Sequence, residues 1–115
     1  MAGVVHVVWY ATALRADKLE AGLREMAPAA LRYGATAYAV HRSRDDRYKF
    51  LHMSYFESKL DWERYWEGPE FMDFRIRFNS YYQVPIAYVW HDEVIAGALE
   101  PEEENGRTAA AEAAG

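Results

Sequence analysis

Two segments of this chain are apolar on both faces that a strand can present. Residues 4–11 read VVHVVWYA and residues 49–56 read KFLHMSYF. Side chains alternate across a strand. The first segment therefore sets Val4, His6, Val8 and Tyr10 on one face and Val5, Val7, Trp9 and Ala11 on the other. The second sets Phe50, His52, Ser54 and Phe56 against Leu51, Met53 and Tyr55. A sheet with one wet face alternates apolar and polar residues. These strands do not, so the sheet they build has to be covered on both sides.

The rest of the chain supplies the cover for one side. Asp17 with Glu20 forms a capping-box pattern, and Leu19, Leu23, Met26, Ala27, Ala30 and Leu31 follow at helical spacing. Pro28 is expected to split off the last turn near Ala27, and Gly34 to end the helical segment. Residues 35–43 alternate with period two and predict a strand that pairs with 48–56 across the polar turn RDDR. Ser58 with Asp61 opens a second helix, Gly68-Pro69 breaks it, and Pro69 starts another carrying Phe71, Phe74 and Phe78. Residues 83–90 (QVPIAYVW) predict the last strand, which Pro85 assigns to a sheet edge.

The resulting order, β-α-β-β-α-β, is a ferredoxin-like α+β fold. It predicts a four-stranded antiparallel sheet with the helices on one face. The other apolar face is a patch too large for a soluble monomer, and a second copy is its simplest cover. A homodimer joined sheet to sheet is expected. The domain is expected over residues 1–97, with 98–115 an acidic, Ala-rich tail without an apolar face.

Charge and composition narrow the partners. The net charge is −5 with no basic stripe, which argues against nucleic acid and anionic membranes. No apolar run reaches membrane-spanning length, and the start lacks a basic leader, so a cytoplasmic protein is expected. The chain has no cysteine, which excludes disulfides and thiolate chemistry.

The element order, together with the stretch FLHMSYFESKLDWERYWEGPEFMDFRIRF, resembles the dimeric α+β barrel superfamily. Within it, the chain resembles the antibiotic biosynthesis monooxygenase-like proteins. The resemblance covers about residues 3–95. It implies a pocket between sheet and helices and a cofactor-independent reaction on a flat aromatic or polyketide-like small molecule, of monooxygenase or cyclase type. A non-catalytic ligand- or heme-binding dimer, or a scaffold dimer, are the alternatives. The heme-degrading branch resembles a set with Asn on the first strand and His on the later helices. This chain has His6 on that strand and no histidine in 58–80.

The candidate site residues follow from the strands and the aromatic helices. Aligning 4–11 against 56–48 sets His6 near Ser54 and His52 near Val8, with the imidazoles about 7–8 Å apart on one face. They are either packed core histidines or a pocket pair with one general base, His52 being preferred because Ser54 shares its face. Two histidines without a carboxylate are too few for a closed metal site, and no metal is expected. Tyr55, Trp66 and Phe71 are expected as pocket wall. Arg75 is a candidate partner for a substrate carboxylate or phenolate, although Arg75 and Arg77 have Asp73 and Glu70 nearby in sequence as ion-pair partners.

Overall fold

A computed structural model of the chain describes residues 3–99. The expected tail falls, from residue 100 onward, outside the described residues. The elements are β1 (Gly3–Tyr10), α1 (Ala16–Met26), a 3-10 helix (Ala27–Tyr33), β2 (Ala35–Arg42), β3 (Lys49–Phe56), α2 (Lys59–Trp66), α3 (Pro69–Arg77) and β4 (Tyr88–Asp92). The sheet runs β2-β3-β1-β4 with every neighbouring pair antiparallel. This is the expected ferredoxin-like α+β fold. Among the described residues no helix is long and apolar enough to cross a membrane.

Local chemistry sets most boundaries. Ser58 Oγ accepts from the backbone N–H of Leu60 at 3.1 Å and of Asp61 at 3.3 Å, which caps α2. Pro69 occupies the first turn of α3, where its missing N–H costs nothing. Gly68 before it has no room for a side chain, since a Cβ there would run into the Tyr33 hydroxyl. α1 gives way to the 3-10 helix at Ala27, one residue before Pro28, and Gly34 ends that helix at φ 100°.

Two boundaries differ from expectation. α1 is preceded by Arg15 as its N-cap residue, with no side-chain cap, and Asp17 lies inside the first turn. Asp17 and Glu20 instead accept from Arg42 Nη1 of β2 at 2.8 and 3.1 Å. A long-range ion pair has displaced the local capping box. β4 begins at Tyr88 rather than near residue 83. The chain first bonds to the end of β1, through Gln83 N–H to Tyr10 O at 2.7 Å, and then leaves the sheet through the cis Val84–Pro85 peptide. β4 is an edge strand as expected, with Pro85 outside it.

The core lies between the sheet and the helices. Val5, Val7 and Trp9 of β1 and Phe50 and Phe56 of β3 pack there against Leu19, Leu23 and Met26 of α1 and Trp62, Tyr65, Phe71 and Phe74 of α2 and α3. The opposite face carries Val4, His6, Val8 and Tyr10, Leu51, Met53 and Tyr55, and Val89 and His91. No helix covers it. Val8, Tyr10 and Val89 are 37, 40 and 53 % exposed.

The register corrects one expectation outright. His6 pairs with Met53 and His52 with Val7, one residue away from the expected alignment. A shift of one residue moves a whole strand's side chains to the other face. His52 thus points at the helices and His6 points away from them.

Candidate active site

His52 sits at the centre of the helix-facing side. Its cross-strand neighbours are Val7 of β1 and Val40 of β2, and it is fully buried. Trp9 Nε1–H donates to His52 Nδ1 at 3.4 Å. In a neutral imidazole one nitrogen accepts and the other carries the proton. Nε2–H is then a donor, and it is buried without a partner. Burial lowers the His52 pKa from 6.5 to about 4. At neutral pH the ring is uncharged and a poor base. It is equipped to give a hydrogen bond, not to take a proton.

Phe71, from the first turn of α3, fills the space beside it. Its ring centre lies 6.0 Å from that of His52, 6.2 Å from Trp9 and Trp62, 4.9 Å from Tyr65 and 4.8 Å from Trp66. The Gly68-Pro69 break is what brings α3 back over the sheet to deliver this ring.

Arg75, one turn further along α3, sets its guanidinium over the cluster. Its guanidinium carbon is 3.9 Å from the Trp66 ring centre and 5.0 Å from that of Phe71. Nη2 donates to Met72 Sδ at 2.8 Å, while Nη1 is buried with no partner. Burial lowers its pKa, although an arginine remains charged. The carboxylates nearby in sequence are engaged elsewhere. Asp73 pairs with Arg77 at 2.8 Å, and Glu70 accepts from Arg32 at 3.3 Å and from the Tyr33 hydroxyl at 2.5 Å.

Trp62 Nε1–H is a third buried donor without a partner. His52, Trp62 and Arg75 therefore each place one unanswered N–H in groups that surround Phe71. Buried polar groups in folded proteins are nearly always paired. Three side chains packed on one aromatic ring thus each keep a buried donor without a partner.

The candidate residues divide as follows. His52, Trp66, Phe71 and Arg75 come together, and Ser54 is buried on the same face of β3. Tyr55 does not join them, because its parity turns it to the opposite side of the sheet. His6 is also on that side, its ring centre 4.5 Å from that of His91. Trp9 was not legible as a site residue, although it shares the parity of Val5 and Val7. Only the register showed that it bonds His52.

A cavity of about 560 Å³ opens at the β2 edge under α1. Leu23, Tyr38, Val40 and Phe50 line it, with Glu20 and Arg42 at its rim. Val40 is the cross-strand neighbour of His52, so this groove meets the sheet one strand from the imidazole. Sheet and helices thus leave a groove open at β2 and close on packed aromatic rings beneath α2 and α3.

Comparison with known proteins gives the fold a context. No protein-family model matches the chain, and no curated protein sequence matches it. Solved structures do. A candidate antibiotic biosynthesis monooxygenase of Nitrosomonas europaea superposes with a TM-score of 0.75 at 14% identity, over 84% of this chain and 94% of that one. A similar candidate from Deinococcus radiodurans gives 0.72 at 15%, over 85% and 98%. A variant of SnoaB, a cofactor-independent oxygenase of Streptomyces nogalater, gives 0.71 at 10%, over 83% and 95%.

Proposed function

We propose that this chain, which has the fold of the antibiotic biosynthesis monooxygenase-like proteins, is a small cofactor-independent oxygenase acting on a flat hydroxylated aromatic molecule. The observation that carries the reading is the set of three unpaired buried donors, His52 Nε2–H, Trp62 Nε1–H and Arg75 Nη1–H, within an aromatic shell. An aromatic enol or phenol that loses its proton to water becomes an anion rich enough in electrons to react with O₂. Donors held in a dry site stabilise that oxyanion far better than water does. In the net reaction, the ring CH₂ of the keto tautomer, flanked by aromatic rings, becomes C=O. One oxygen atom of O₂ enters the ring system and the other leaves as water, taking the two hydrogens of the CH₂ group. His52 acts here as a neutral donor to the substrate oxygen and Arg75 as its counter-charge. Trp66 and Phe71 supply stacking surface, and Ser54 is a neighbouring polar group on the same face.

The homodimer belongs to the same proposal. A second copy set against the uncovered sheet face removes Val8, Tyr10, Met53, Tyr55 and Val89 from water. Burial of several hundred Å² on each chain favours association by roughly 10 kcal/mol before its entropic cost. A non-catalytic ligand-binding dimer is a second reading. It is favoured by His52, which is uncharged and a poor base at neutral pH, so that the site can hold an oxygen-bearing ligand without turning it over.

Oxygen uptake with an anthrone as substrate tests the proposal. The expected result is one O₂ consumed per quinone formed. His52→Leu should lower kcat by about 10²–10³-fold while the anthrone still quenches tryptophan fluorescence. Binding without oxygen uptake supports the second reading. Absence of both binding and uptake overturns the aromatic site altogether.

A further inference from the structure

His6 and His91 form a pair that the proposed reaction does not use. They lie on the uncovered face of β1 and β4, in a setting of Val4, Met53 and Val89. Their ring centres are 4.5 Å apart and their planes are inclined by 43°. His91 Nδ1 is buried with no hydrogen-bond partner. Two imidazoles bound to one tetrahedral ion, with metal–nitrogen bonds near 2.0–2.1 Å, hold their ring centres about 5 Å apart. The pair is therefore within a side-chain adjustment of chelating geometry, on two adjacent strands that fix its spacing.

Within one chain the set is incomplete. Among the described residues no third His, Asp or Glu joins these two. The missing ligands have to come from elsewhere. If the face is covered by a second copy, as the dimer reading holds, both imidazole pairs are carried into an apolar contact. Unpaired polar groups buried there oppose association unless something satisfies them. We propose that His6 and His91 are half of a divalent transition-metal site, completed as a four-imidazole centre by the same pair of a second copy. Imidazole ligands without thiolates suit Zn²⁺ and its spectroscopic substitute Co²⁺. The inference rests on the dimer reading and is independent of the oxygenase chemistry.

Titrating the untagged full-length protein with Zn²⁺ and with Co²⁺ tests it, with sedimentation run alongside. One ion per two chains is expected, with the intense visible bands of tetrahedral Co²⁺. Zn²⁺ binding should weaken at least about a hundredfold in both His6→Gln and His91→Gln. Absence of saturable binding by a dimeric protein overturns the site and leaves the dimer standing. A ratio of one ion per chain, or unchanged binding in either variant, also overturns the shared site. A protein that stays monomeric with and without metal overturns the dimer reading itself.

Discussion

His52 is neutral because nothing packed around it compensates a charge: its neighbours are Trp9, Val7, Val40 and Phe71, and its pKa falls to about 4. The sign of the pH effect follows. The unfolded chain titrates this ring near 6.5, so above that pH both states are neutral and the full stability is present. As the pH falls from 6.5 toward 4, the unfolded chain takes up a proton that the folded chain refuses. The cost is on the order of 3 kcal/mol. Urea unfolding at pH 7 and pH 4 should show the wild type losing about that much more than His52→Gln. Equal losses in the two proteins would mean that the ring titrates freely in the fold. The sequence made each histidine's strand visible but not its facing. Parity within a strand is local, whereas the face depends on how two strands slide together. A slip of one residue between β1 and β3 separated His6 from His52, and the register of β1 against β4 set it beside His91. Arg75 shows a second limit. Its acidic neighbours in sequence suggested an ion pair, and only the packing revealed that Arg77, Arg32 and Tyr33 had taken them.

At the scale of elements, legibility tracked how local the determining contact is. Ser58, Pro69, Pro28 and Gly34 act through bonds and dihedral angles within a turn, and their positions matched the structure. The start of α1 and the span of β4 depend on Arg42 and Tyr10, which are remote in sequence, and both were misplaced. The Ser58 cap is the cleanest test of the first group, because it bonds two backbone donors that have no other partner. Ser58→Ala should cost about 1 kcal/mol. The loss should appear as a lower denaturant midpoint with an unchanged slope. A changed slope would mean that α2 has come loose from the core.

For the molecule as a whole, the two faces of the sheet should respond differently to the same insult. Val7 lies in the core at 1 % exposure and Val8, its neighbour, faces away from every helix. Val7→Glu buries a carboxylate without a partner and should unfold the chain. Val8→Glu should leave a folded monomer, seen as retained far-ultraviolet dichroism with halved mass in sedimentation. A folded dimer from Val8→Glu would place the contact elsewhere. If a second copy covers that face, as proposed, endurance is tied to abundance. For a protein that folds and pairs together, each tenfold dilution removes about 1.4 kcal/mol per dimer by mass action. For two domains of this size that lowers the melting temperature by roughly 3 °C. A melting point that climbs with the logarithm of protein concentration is expected. The amount of the protein present would then help to decide how long each copy lasts.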